Sequence, residues 1–268
     1  MPMTIEPFSH DDLPVLNELQ PPDWRDITPA FEFYLSKSFC FPLKAVSAGR
    51  IAGIGAAILY QRTGWLAHII VHPECRDQGI GGGIVLSLLN LMKQRNCETM
   101  SLIATDLGYP VYKKTGFLED GEYIFYKRDQ ETSSIPAQDQ IIGYNAQFER
   151  SVLDLDREIS GEDRKDVIVE KLAGSFLCIL DNEVTGCYIP DLGEGLIVAR
   201  RGEAGLALLK LKVAGSNRIV IPAQNKSAAS FLEQNGFRET LRCWRMVFGP
   251  KLEWKPEGLF SRIAGNLG

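Results

Sequence analysis

Ile69-Ile70-Val71-His72-Pro73-Glu74-Cys75-Arg76-Asp77-Gln78-Gly79-Ile80-Gly81-Gly82-Gly83 is the stretch on which the reading of the chain turns. An apolar run passes through a short loop into a helical pattern, with Ile80, Ile84, Leu88, Leu91 and Met92 spaced for one face up to Arg95. A helix start offers unpaired amides and partial positive charge, and glycine lets a phosphate come close to the backbone. A glycine inside a helix costs about 1 kcal/mol relative to alanine, so the run Gly81, Gly82, Gly83 needs a reason. Tight packing on a sheet explains one or two of these glycines, and phosphate contact explains all of them. A nicotinamide-type turn would instead show G-x-G-x-x-G after a parallel strand, whereas the spacing here is Arg76-x-x-Gly79-x-Gly81.

Upstream, Thr4 to Pro7 reads as a strand and Asp11 to Leu19 as a helix, broken at Gln20-Pro21-Pro22-Asp23-Trp24. A second helix is expected from Thr28 to Ser36, with Thr28 as cap and Pro29 in the first turn. Strands at Leu43 to Ala48, Ile51 to Tyr60 and Trp65 to Val71 form an antiparallel meander, with turn signals at Ala48-Gly49-Arg50 and Thr63-Gly64. Downstream of the glycine-rich helix come a strand at Thr99 to Ala104, a short helix at Tyr109 to Thr115 and a strand at Phe117 to Lys127. The polar stretch from Gln130 to Gln140 reads as a linker, setting domains at 1–129 and 141–268.

The second half repeats this order. Helices are expected at Asn145 to Glu158 and Asp163 to Leu172, then strands at Ser175 to Leu180, Glu183 to Ile189 and Gly195 to Ala199. A helix at Glu203 to Val213, a strand at Arg218 to Ile221, a helix at Lys226 to Gln234 and a strand at Phe237 to Phe248 complete it. Val111 to Phe117 aligns with Phe231 to Phe237, and both segments end a helix on Gly-Phe, which by itself is common C-cap chemistry. Together with the shared element order it predicts a duplicated α/β (α+β) chain. Each half is then a mixed, largely antiparallel sheet flanked by helices.

A length of 268 residues allows two cores of roughly 130 residues each, and 45% hydrophobic with 24% charged residues is ordinary for a globular protein. No apolar run approaches the ~20 residues of a membrane span, and the start MPMTIEPFSHDDLP lacks a signal peptide's basic and apolar segments. No membrane and a cytoplasmic location are therefore expected. Cys40, Cys75, Cys97, Cys178, Cys187 and Cys243 form no C-x-x-C pair, which predicts reduced, buried thiols and no metal site. His68 and His72 lie on a strand, where a four-residue spacing does not suit ligation. The formal charge of -5 supplies no basic stripe for nucleic acid and mildly favours an amine partner.

The opening stretch resembles the GNAT acyltransferases, whose motif is Arg or Gln, two residues, Gly, one residue, then Gly or Ala, here following Val71-His72-Pro73. Leu102 to Phe117 is similar to that family's second cofactor motif. It is closest in pattern to a tandem group whose first domain carries Ala-Thr, a Gly-x-Pro turn and a Tyr before Gly-Phe. Leu155-Asp156 through Gly161-Glu162-Asp163-Arg164 resembles the start of that group's second domain, so the likeness spans nearly the whole chain. The resemblance implies two tandem GNAT-like domains and acetyl-CoA as acyl donor. It implies that Arg76, Asp77, Gln78, Gly79, Ile80, Gly81 and Gly82 surround the pyrophosphate, and that Ile69, Ile70 and Val71 pair with the pantetheine. Thr105 and Tyr112 complete that site, with Tyr112 at the general acid's position and a small-molecule or peptide amine as acceptor.

Acyl transfer from a thioester needs a neutral amine, a polarised carbonyl and a stabilised thiolate. The backbone N–H of Val71 or a neighbour is the candidate for the carbonyl, because the family's fourth strand is bulged. A phenol near pKa 10 is a weaker acid than a thiol near 8.5, by ~2 kcal/mol, so Tyr112 is expected to donate a hydrogen bond more than a whole proton. The alternative is an aromatic packed at the helix end. No base is assigned. His68 titrates in the useful range, but strand parity turns it away from Ile69 and Val71 and favours a packed histidine, while Glu74 and Asp106 stay open. Trp24 either lines an amine pocket through cation–π contact or plugs the core.

The second half departs from the pattern: Val198 to Gly205 lacks the Arg-x-x-Gly-x-Gly spacing, Glu203 sits at the helix start and Leu232 stands where Tyr112 does. It is expected to be a structural or substrate-pocket domain, leaving one cofactor site per chain. A competing class is a non-catalytic acyl-CoA-binding or regulatory module.

Overall fold

The meander expected around Ala48-Gly49-Arg50 is present in the computed structural model, which describes residues 3–22, 24–129 and 140–268. Thr4–Pro7 (β1), Cys40–Ser47 (β2), Arg50–Tyr60 (β3) and Thr63–Val71 (β4) pair antiparallel in that order. Ala48 and Gly49 turn the chain at positive φ, 50° and 78°. The next turn falls at Gln61 and Arg62, so Thr63 and Gly64 are already strand and not the turn the sequence suggested. Pro14 removes a backbone donor from the first expected helix, and only Leu16–Leu19 (α1) is α-helical after a 3-10 segment at His10–Val15. Thr28–Ser36 (α2) has the expected bounds, but Thr28 is not its cap: the Thr28 N–H donates to Asp26 Oδ1 at 2.9 Å.

Ile80–Gln94 (α3) packs on this sheet through Ile80, Ile84, Val85, Leu88, Leu89 and Met92, all buried. Glycines in the strands let it approach. A Cβ at Gly55 would lie 2.7 Å from Ile84 Cγ2, and one at Gly64 would lie 2.5 Å from Met92 Cε. Thr99–Ala104 (β5) follows and pairs with β4 in parallel, then come Tyr109–Lys114 (α4) and Leu118–Lys127 (β6).

The expected linker lies, over 130–139, outside the described residues. Ile141–Gly143 (β7) precedes a 3-10 turn at Ala146–Phe148 and Glu149–Ser160 (α5), and Lys165–Ile168 (α6) is a single turn. Phe176–Leu180 (β8), Glu183–Ile189 (β9) and Leu196–Ala199 (β10) extend β7 into a second antiparallel meander. Gly202–Ala214 (α7), Arg218–Pro222 (β11), Lys226–Gln234 (α8) and Arg238–Phe248 (β12) complete the repeat, and Leu259–Ser261 (β13) adds to β10. β7 and β13 escape a sequence reading because three residues are too few to show alternation.

The compact units are Met1–Glu119 with Met246–Lys251 and Leu267, and Asp120–Arg245 with Leu252–Asn266 and Gly268. They do not follow the contiguous division at 129 and 141, because most of β6 counts with the second unit and the end of β12 with the first. The repeat itself is visible in hydrogen bonds. Phe117 N–H donates to Tyr112 O at 3.0 Å and Gly116 N–H to Lys113 O at 3.2 Å; Phe237 N–H donates to Leu232 O at 3.0 Å and Gly236 N–H to Glu233 O at 3.1 Å. Gly116 and Gly236 sit at φ 97° and 79°, the left-handed step that this helix end requires.

Candidate functional site

β4 and β5 pair only from Thr63–Thr99 to Trp65–Ser101, so the later part of β4 runs beside no β5 register. In that later part the ladder to β3 slips: Ala67 faces Ala56 and Ile70 faces Ile54, leaving His68 and Ile69 opposite the lone Gly55. His68 has φ 49°, the mark of a bulge, which falls at His68 and Ile69, where the sequence reading named Val71 or a neighbour. Ile69 and Val71 point towards α3, since a Cβ at Gly55 would meet Ile69 Cδ1 at 2.8 Å and one at Gly81 would meet Val71 Cγ2 at 3.6 Å. Ile70 is buried on the other face.

From β4 the chain makes a 3-10 turn at Pro73–Cys75, held by Arg50, whose Nη1 pairs with Glu74 Oε2 at 3.1 Å and whose Nη2 lies 3.4 Å from Cys75 Sγ. Arg76, Asp77, Gln78 and Gly79 are exposed. Arg76 Nε donates to Val71 O and Gln78 Nε2 to Glu74 O, both at 3.4 Å. Asp77 and Gly79 both have positive φ, 61° and 78°, which folds the loop back before Ile80. No side chain caps α3, and its first helical bond runs from Gly83 N–H to Gly79 O at 3.0 Å. The amides ahead of Gly83 therefore face outward.

Packing touches only one of the helix glycines closely, and there only through the flexible end of Met3. A Cβ at Gly83 would come within 2.5 Å of Met3 Cε, at Gly81 it would make ordinary contact with Val71, and at Gly82 it would meet nothing within 4 Å. Gly79 is likewise open and is explained by its backbone. Room for a side chain therefore goes unused at Gly79 and Gly82, beside an uncapped helix start. An anion fits this arrangement on charge, and the glycines keep side chains out of its way.

Thr105 is exposed at the end of β5, where its carbonyl accepts from Gly108 N–H at 3.0 Å and Tyr109 N–H at 2.9 Å. Tyr112 on α4 is 7% exposed, with its ring 5.9 Å from Phe117. A Cβ at Gly108 would strike the Tyr112 ring at 2.7 Å, which is why this turn carries glycine. Burial raises the Tyr112 hydroxyl well above a phenol's usual range, and among the described residues it has no hydrogen-bond partner.

Trp24 is 39% exposed, so it is not a core plug. Its ring lies 6.2 Å from His68, which also packs against Phe31 and Tyr34 at 5.8 Å each. His68 thus points to the α2 side, opposite Ile69 and Val71, as parity suggested. Its Nδ1 is 2.8 Å from Tyr34 Oη. Tyr34 was not singled out from the sequence; the spacing Phe31-x-x-Tyr34, which sets both on one helix face, was the available signal.

The corresponding corner of the second unit is built differently. Two residues, Arg200 and Arg201, connect β10 to α7, against eight between β4 and α3. Both arginines are paired, Arg200 with Glu158 at 2.7 Å and Arg201 with Asp181 at 2.8 Å. β10 runs against β9 in regular register without a bulge. β13 lies along β10, and the next residue, Arg262, donates its N–H to Val220 O of β11 at 3.3 Å. Asn225 Nδ2 donates to Leu259 O at 3.0 Å, Lys212 Nζ donates to Ser261 Oγ at 2.9 Å, and the Phe260 ring fills the space above Gly205, where no Cβ fits.

A search of the curated proteins found no match to this chain. Among solved structures, a candidate acetyltransferase from Pyrococcus horikoshii is 23% identical, with 99% of this chain and 96% of that one covered at a TM-score of 0.82. A GCN5-related N-acetyltransferase from Sphaerobacter thermophilus is 14% identical over 94% of this chain and 98% of that one, TM-score 0.65. A tandem GNAT protein from the clavulanic acid biosynthesis pathway is 12% identical over 93% and 100%, TM-score 0.59. At these identities the likeness establishes a common fold over nearly the full chain. The sequence profile of the Acetyltransferase (GNAT) family matches residues 6–117. The matched stretch holds the β4–α3 corner and Tyr112, and through it the chain is similar to the Acetyltransferase (GNAT) family.

Proposed function

We propose that the chain transfers an acetyl group from acetyl-CoA to an amine, small or peptide-borne, and does so at one site in the first unit. The observation that carries this reading is the uncapped α3 start, with open space in front of Gly79 and Gly82 that packing does not explain. The amides of Ile80, Gly81 and Gly82 receive the pyrophosphate, with Arg76, Asp77, Gln78 and Gly79 forming the rim of the cradle. Ile69, Ile70 and Val71 run alongside the pantetheine, where β5 no longer occupies the flank of β4. A bulge leaves a residue out of the ladder, and an amide beside His68 and Ile69 is the donor for the thioester oxygen.

Tyr112 stands by the leaving sulfur. Burial raises its pKa, so it acts as a hydrogen-bond donor to the thiolate and gives up its own proton less readily than an exposed phenol. Thr105 borders the same cleft at the end of β5, and Trp24 borders the acceptor's side. The second unit is a structural partner, its corner already filled by β13. All six cysteines are buried thiols, which suits a reducing compartment, and the cytoplasm is the proposed location. No helix among the described residues is long and apolar enough to cross a membrane.

Calorimetric titration with coenzyme A, followed by thiol release from acetyl-CoA against a panel of amines, tests this reading. One site per chain and turnover of at least one amine are expected. Two equivalent sites would overturn the assignment of the second unit. Tight binding with no turnover on any amine would reduce the protein to an acyl-CoA-binding module.

A further inference from the structure

The site as described supplies a donor for the carbonyl and a partner for the sulfur, but nothing yet receives the proton that an amine must lose. His68 lies on the bulge itself, next to the amide proposed for the thioester oxygen. From α2, Phe31 and Tyr34 face its ring, and from the segment ahead of α2 Trp24 does; Tyr34 is the titratable group among them. Nδ1 is engaged with Tyr34 Oη at 2.8 Å, while Nε2 has no hydrogen-bond partner among the described residues. His68 as a residue is only partly shielded from solvent, and Trp24 beside its ring is exposed.

Building on the acetyltransferase reading, we propose that His68 Nε2 takes the proton released by the acceptor nitrogen, with Tyr34 as the positioning residue that keeps the proton on Nδ1. The amine lone pair attacks the thioester carbon, and the carbonyl electrons move onto oxygen, held by the bulge amide. The N–H of this cationic adduct is far more acidic than that of a free ammonium, and His68 Nε2 removes that proton. The carbonyl re-forms as the C–S bond breaks, and the thiolate leaves against the Tyr112 hydroxyl. The imidazolium returns its proton to solvent and the thiolate takes one up, so amide and coenzyme A thiol are the net products. Burial lowers the His68 pKa to about 4, so the ring is neutral at neutral pH and free to accept a proton.

The test uses the full chain. Long-range proton–nitrogen NMR, with His68→Gln assigning the signal, should find the His68 proton on Nδ1 and Nε2 bare at neutral pH. A proton on Nε2 would overturn the proposal, because that nitrogen could accept nothing. Thiol release from acetyl-CoA is then followed with ethylamine as probe acceptor and with water alone. His68→Gln should lower the turnover number about 100-fold with coenzyme A affinity and melting temperature unchanged. Tyr34→Phe should lower it about tenfold and shift the proton partly to Nε2, a change that a merely structural tyrosine would not produce. Undiminished turnover in His68→Gln sinks this inference alone. Failure of the wild-type protein to bind coenzyme A would instead sink the function on which it rests.

Discussion

The β4–α3 corner and the β10–α7 corner grow from the same meander and diverge within a few residues. The first has eight connecting residues, a bulge and an uncapped helix start; the second has two, a regular ladder and a neighbouring strand already seated beside it. Both helices begin with glycines, yet for opposite reasons. Gly82 faces empty space, whereas Gly205 lies under the Phe260 ring. A glycine at a helix start is thus evidence for a ligand only after its surroundings have been found empty.

The widest break in this comparison should come from Gly81→Glu, which places a carboxylate among the outward amides. Coenzyme A affinity should fall by 100-fold or more, about 3 kcal/mol, in a protein that still melts cooperatively. A folded variant with unchanged affinity would move the pyrophosphate elsewhere. Next, Tyr112→Phe removes only a hydroxyl, and Leu232 shows that the equivalent helix end in the second unit folds without one. Turnover should drop about 100-fold, or ~3 kcal/mol in the barrier, while coenzyme A affinity changes by a few fold. Nearly full turnover, where chemistry limits the rate, would leave Tyr112 a packing residue.

The finest contrast pairs two alanines. Gly205→Ala should cost about 2 kcal/mol of stability through the Phe260 clash and leave coenzyme A binding alone. Gly82→Ala should gain up to about 1 kcal/mol from helix propensity and yet weaken coenzyme A several fold. Thermal melts and calorimetry on both variants would read this crossed pattern. The same sign of effect in both would erase the distinction drawn between the corners.

How much of this was legible in the sequence varies with the range of the interaction. Periodicity located α2, β9 and α8 to the residue, and the glycine run flagged the α3 start, because these depend on neighbours in sequence. Pro14 could have warned against a continuous first helix, since a missing amide is a local fact. The bulge at His68, the Tyr34 contact and the filling of the second corner by β13 depend on residues far apart in the chain, and no spacing rule encodes them. Trp24 belonged to the same class: whether it faced solvent or core was decided by its surroundings.

Met246–Lys251 counts with the first unit, where Phe248 packs on Phe117 at 5.7 Å and Thr99 Oγ1 donates to Pro250 O at 2.8 Å. A ribosome makes the glycine-rich loop well over a hundred residues before this closing segment. Domains ordinarily fold in order as they emerge, the N-terminal one first. Here the unit with the candidate site must wait, incomplete, until Met246–Lys251 has been synthesised. A ribosome stalled anywhere before Met246 would therefore hold a first unit that still lacks its closing segment.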